Sequence, residues 1–220
     1  MIQPDEIIRS RRKTLAISID AFGRLIVRAP LTCPKERIFA FLQEKERWIL
    51  QKKSQTAGAG MRLPPENLNG YTFLLLGKKC RIVLVESRYV RFDEESYTIY
   101  LPLKNPRTRL IKWLKENGKR IFTTVTERKA KEMGLGFESV EISSAKGKWG
   151  SCSFDNKIRY AYRLIYVPKE VIEYVVVHEL AHVRHKNHSP RFWAEVEKYV
   201  PDWKQKRKWL KTNGYLLELF

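Results

Sequence analysis

Apolar and polar residues alternate over positions 14–28, on either side of Ala21-Phe22-Gly23. A two-residue period buries one face of a strand, so the interruption predicts a hairpin. The period then changes. Over 34–53, Ile38, Phe41, Leu42, Trp48 and Ile49 fall near one face of a helix, and Pro34 suits its first turn. Residues 55–70 are rich in Gly, Pro and Asn, a loop composition. Strand-like runs follow at 71–76, 80–85, 89–92 and 97–101, with Gly77-Lys78-Lys79 as the turn of another hairpin. After 102–106 the character shifts. A long helix is expected from Arg107 to about Met133, with Gly134 as its stop signal. Gly118 stands inside it, a residue that weakens a helix. Strands are expected at 139–143 and 158–167, then helices opened by Pro168, over 190–200 and from Trp203 to about Thr212. The chain reads as α+β: a β-rich region with one helix over 1–105, then a mainly helical region over 106–220, or one continuous domain.

Composition narrows the setting. The chain has 220 residues, 43% of them hydrophobic and 30% charged, enough apolar material for a core. No run approaches the roughly 20 apolar residues that span a bilayer. The opening MIQPDEIIRSRRK mixes acids and bases before any apolar stretch, unlike a secretory signal. Cys33, Cys80 and Cys152 are few, odd in number and far apart, which argues against a disulfide scaffold and for a cytoplasmic home. The net charge of +19 attracts polyanions. It equally serves solubility, since it is not gathered in one tail.

Chemistry gathers in one place. All four histidines lie between His178 and His188, in the run H-E-L-A-H-V-R-H-K-N-H. On a helix His178 and His182 share a face one turn apart and can point at one metal ion. Glu179 is rotated by about 100° from His178. It stands clear of the ligands yet near enough to reach water at the metal, which is the mechanical content of H-E-x-x-H. The same pattern also arises by chance on solvated helix faces. Here Ile172, Val176, Leu180 and Val183 form an apolar stripe, and Val171, Val175 and Ala181 put apolar residues near the histidine face. Such a helix is buried, and buried histidines need partners. Three residues could supply a third ligand. His188 follows His182 by six positions, the offset of the extended H-E-x-x-H-x-x-G-x-x-H pattern. His185 occupies the glycine position of that pattern, so Asn187 is expected to provide a left-handed turn instead. His185 lies on the histidine face, but three ligands along one straight helix make a poor tetrahedron. Cys152 is the third candidate, as in peptide deformylases.

Lys148-Trp149-Gly150-Ser151-Cys152-Ser153, Arg163-Leu164-Ile165, Tyr174 through His182, Asn187-His188-Ser189 and Phe192-Trp193 together resemble the YgjP-like metallopeptidase family, which is similar to SprT-like and other small zincins. The linked motifs cover about 148–193. The resemblance implies a zincin-like catalytic core, a zinc ion held by His178, His182 and His188, and Glu179 as general base in hydrolysis of a peptide or protein. A metzincin fits less well: Met1, Met61 and Met133 all precede the helix, so no Met-turn follows it. The deformylase alternative, with Cys152 on zinc, lacks an E-G-C-L-S stretch. A second class of reading is a nucleic-acid-binding protein with a structural zinc. It draws on the basic run Lys204, Lys206, Arg207, Lys208 and Lys211, interleaved with Trp203 and Trp209, but no Cys-rich finger spacing is present. Residues 158–166 alternate, with Ile158, Tyr160, Tyr162, Leu164 and Tyr166 opposite Arg159, Ala161 and Arg163. This strand or its neighbour is expected to pair with extended substrate. His185, Arg163 or a tyrosine is expected to stabilise the oxyanion.

Overall fold

The computed structural model describes residues 2–19, 23–57 and 64–220, with backbone alone at 54–57. The chain divides into two compact units, Met1–Leu63 and Pro64–Phe220.

The first unit holds β1 (Glu6–Ser10), β2 (Ala16–Ile19), β3 (Leu25–Pro30), α1 (Lys35–Glu44) and α2 (Glu46–Ala57). β3 is the central strand, antiparallel to β2 as the hairpin reading requires and parallel to β1. The turn residues Ala21 and Phe22 lie outside the described residues. Alternate residues of β3, Leu25, Val27 and Ala29, meet Ile38, Leu42 and Ile49 in one buried cluster. The helix expected over 34–53 is two helices parted at Lys45, and Trp48 points outward at 39% exposure. The expected loop at 55–70 begins later, because α2 runs to Ala57; residues 58–63 lie outside the described residues.

The second unit opens with a four-stranded sheet of β4 (Thr72–Leu75), β5 (Lys78–Val85), β6 (Arg91–Asp93) and β7 (Thr98–Pro102), in the order β4-β5-β7-β6. α3 (Pro106–Met133) runs unbroken through Gly118. Leu110, Leu114, Gly118, Phe122, Thr126 and Ala130 recur every four residues along its buried face. A Cβ on Gly118 would stand 3.2 Å from the Phe122 ring, so the small residue suits this stripe. Gly134 caps the helix at φ +61°, its amide reaching Lys131, while the Leu135 amide reaches Ala130. Only glycine takes that left-handed position without strain.

β8 (Ser139–Ser143), β9 (Gly150–Cys152) and β10 (Lys157–Ala161) form a second sheet in the order β8-β10-β9. The strand expected over 158–167 stops at Ala161, and Tyr162–Tyr166 form a 3-10 helix with every residue buried. The expected alternation therefore fails beyond Ala161. The carbonyls of Ile165 and Tyr166 accept from the amides of Leu76 and Gly77 at the β4–β5 turn rather than from a neighbouring strand. Arg163, expected on the face opposite the tyrosines, is 3% exposed. Its guanidinium donates to the carbonyls of Ser144, Leu219 and Phe220. Pro168 then opens α4 (Lys169–Arg184), followed by α5 (Pro190–Tyr199), α6 (Trp203–Thr212) and a closing 3-10 turn at Gly214–Glu218. Val171, Ile172, Tyr174 to Val177, Leu180 and Ala181 are all buried, so α4 is held by packing that overrides the weak helix propensity of its valines.

Candidate metal centre

α4 carries His178 and His182 one turn apart, and the segment after it returns His188 to them. The helix ends at His185, whose backbone is extended (φ −125°, ψ 96°). Asn187 is not left-handed, contrary to expectation. It accepts the Ser189 amide on its side-chain oxygen instead, and Pro190 then starts α5. An extended exit and an asparagine-closed turn thus replace the glycine bend.

The candidate ligand atoms of His178, His182 and His188 lie within 4.8 Å of one another. His178 Nε2 and His188 Nε2 are 3.1 Å apart. Nδ1 of His182 is 2.9 Å from the carbonyl oxygen of His185. That oxygen can only accept, so Nδ1 bears the proton and Nε2 keeps its lone pair. Burial holds the His178 imidazolium form down to about pH 3, and the neighbouring His182, His188 and Arg207 act in the same direction. Burial also lowers His182, against the His185 carbonyl. Neutral imidazoles with orientated lone pairs are what a transition-metal ion takes. His178 Nδ1 is buried with no hydrogen-bond partner among the described residues. Phe192 of α5 backs all three rings, at centroid distances of 4.9, 4.5 and 4.8 Å from His178, His182 and His188. Trp193 stacks on His188 and, on its other contacts, on Trp203. In the sequence Phe192 and Trp193 stood only as part of the family motif, and their place against the histidine rings needed the fold.

Glu179, next to His178 along α4, packs against β9. It is 5% exposed and makes no side-chain hydrogen bond among the described residues. Burial raises its pKa to about 8, opposed by Lys148. Gly150 leaves it room, since a Cβ there would stand 2.6 Å from Glu179 Oε1. Cys152, two residues along β9, is outside the histidine group. Burial raises its thiol pKa, against Lys186 and with Glu179. His185 contributes its carbonyl to His182 and is also outside the group. β10 is the middle strand, so the free edge beside α4 belongs to its neighbour β9. Arg163 is spent on the three carbonyls described above. Tyr174, one turn before His178 and edge-on to its ring at 5.9 Å, is the tyrosine that lines the cleft with His178 and Glu179.

The description "YgjP-like, metallopeptidase domain" matches residues 13–213. The chain belongs to the YgjP-like metallopeptidase family. No curated protein matches it. Two solved structures are similar over 42% of this YgjP-like chain. One is the metallopeptidase zymogen of Pyrococcus abyssi abylysin, at 26% identity, 93% coverage of that chain and a TM-score of 0.40. The other is the metallopeptidase zymogen of Methanocaldococcus jannaschii jannalysin, at 20% identity, 95% coverage and a TM-score of 0.39. Family membership makes the chain a metal-dependent peptidase acting on peptides or proteins. No helix among the described residues is long and apolar enough to cross a membrane.

Proposed function

We propose that this YgjP-like peptidase is a zinc enzyme in which His178, His182 and His188 hold the ion and Glu179 is the general base. The observation that carries the reading is the convergence of three imidazoles beside a buried carboxylate that is not itself among them. Three nitrogen donors suit zinc, and a set of three rather than four is the catalytic pattern. When bound, zinc lowers the pKa of water toward about 7 and polarises a scissile carbonyl. Glu179 accepts a proton from the attacking water on a carboxylate oxygen and passes it to the departing amine. Phe192 and the buried face of α4 exclude bulk water from the rings. The free edge of β9 pairs with the substrate backbone and holds it extended.

The nucleic-acid alternative gains nothing from Trp203 of α6. Trp203 is buried and stacked on Trp193 at 4.2 Å, so its face is not open to a base. The deformylase alternative needs Cys152 among the ligands, and the histidine group does not include it. Elemental analysis tests the assignment. About one zinc per chain is expected, lost on replacing His178, His182 or His188 with Ala and retained in Cys152→Ser and His185→Ala. Zinc that survives His188→Ala but not Cys152→Ser would move the third ligand to the thiol.

A further inference from the structure

Beside Glu179 lies a cavity of about 240 Å³ whose lining joins three elements of the second unit. Lys148, Trp149 and Gly150 come from the β9 side, Tyr174, Val175, His178 and Glu179 from α4, and Leu210 from α6. Trp149, Val175 and Leu210 give it apolar walls. Tyr174 is 3% exposed, yet its hydroxyl makes no hydrogen bond among the described residues. The side chain lines the cavity, so its hydroxyl is free to meet an acceptor brought there by a ligand. Lys148 is exposed at the mouth and makes no ion pair among the described residues. Arg207 adds positive potential at both Tyr174 and His178. Glu179 is the one acid in the lining, and it lies on the Gly150 side.

We propose that this cavity is a specificity subsite that takes an acidic side chain of the peptide substrate, its carboxylate held by the Tyr174 hydroxyl and the Lys148 ammonium. This rests on the peptidase reading above and names the substrate class of that site. A neutral acceptor would satisfy Tyr174 alone. A carboxylate also meets the unpaired cation, while its methylenes lie against Trp149, Val175 and Leu210. The charge of the whole chain, +19, favours encounter with acidic segments in the same sense.

The test uses full-length, zinc-loaded protein and peptide pairs that differ by Glu against Gln, or Asp against Asn, at one position. Cleavage is followed in the wild type, and binding of the fluorescently labelled peptides is titrated on Glu179→Gln. An acidic residue at one position beside the scissile bond should improve kcat/KM and binding by about tenfold or more, the range of a charge-assisted hydrogen bond. Lys148→Glu should reverse that preference. Tyr174→Phe should reduce discrimination between the paired peptides chiefly through KM. Zinc content and circular dichroism report folding of each variant. Absence of any acidic preference, or equal losses for acidic and neutral peptides in Lys148→Glu, overturns the subsite while wild-type cleavage leaves the peptidase reading intact. A fall in kcat alone for both peptides in Tyr174→Phe overturns it too, since the hydroxyl then serves the reaction and not the side chain. Preferential binding of acidic peptides without cleavage supports the subsite and counts against the peptidase reading. If neither cleavage nor binding occurs, both fall.

Discussion

At Gly150 a Cβ would stand 2.6 Å from Oε1, 2.9 Å from Cγ and 3.0 Å from Cδ of Glu179. The backbone of β9 is fixed by its pairing with β10, so the carboxylate would have to move. Gly150→Ala is therefore expected to keep zinc, since the added Cβ meets Glu179 and none of the three histidines, and on the proposed role of Glu179 to lose hydrolysis about tenfold or more, since misplacing a catalytic group by an ångström costs that scale of rate. Zinc analysis alongside a peptide cleavage assay checks this. A variant as active as the wild type would mean that Glu179 finds its working position elsewhere. The sequence held Gly150 only as one residue of a motif and did not show its partner, because the two residues are 29 positions apart and meet through tertiary packing. The histidines were legible for the opposite reason: helical spacing alone brings two of them together. His188 needed the loop. There the left-handed role expected of Asn187 fell to an extended His185 and an asparagine side chain accepting an amide. Tyr174 was legible only as part of the family motif, since a tyrosine among valines on a buried helix otherwise reads as core.

The β4–β5 turn has a wider role than joining two strands. Leu76 and Gly77 are both left-handed, at φ 51° and 78°, and their amides reach Ile165 and Tyr166 in the 3-10 helix. A Cβ on Gly77 would stand 2.8 Å from the Pro168 Cα, at the start of α4. Gly77→Ala should cost about 1–2 kcal/mol from backbone strain alone, with more from the clash, because neither backbone can yield cheaply. Denaturant unfolding of the metal-free variant measures it. A change below a few tenths of a kcal/mol would show that the turn and the helix start are not coupled. This junction explains why the strand expected beyond Ala161 does not exist. Alternation in Tyr162–Tyr166 is genuine as a pattern, but the segment is buried on all sides, where periodicity no longer distinguishes strand from 3-10 helix. The long α3 was legible because its every-fourth-residue stripe and Gly134 cap are local signals. The two-helix form of α1 and α2 was not, since one apolar face continues across Lys45.

Across the whole molecule, the boundary between units lies at Leu63/Pro64, ahead of the four-stranded sheet. Change of element type along the sequence marks composition, whereas units follow which surfaces are buried together, here the 3-10 helix against the β4–β5 turn. Two groups of the second unit, half-buried His178 and buried Glu179, tie its stability to pH when metal is absent. Folded His178 takes its proton only near pH 3, the unfolded chain near 6.5, so acidification through that window favours unfolding. Folded Glu179 keeps its proton to about pH 8, the unfolded chain to about 4.5, so its contribution is full below 4.5 and is lost as pH rises to 8. Between these two groups the metal-free protein is most stable at about pH 4.5–6.5. Thermal unfolding should show the wild type losing on the order of a few kcal/mol from pH 6 to 8, and Glu179→Gln losing less. Identical slopes would mean that Glu179 is not held protonated by burial. The central claim is that this chain is a zinc peptidase with Glu179 as its base, and Glu179→Gln tests it most directly. The variant keeps the shape of the side chain and removes its basicity. Measured side by side with the wild type for zinc content and peptide cleavage, it should retain about one zinc per chain and lose about 10²–10⁴-fold in rate, the usual contribution of such a group. Cleavage at the wild-type rate, or loss of zinc with the substitution, would contradict the account.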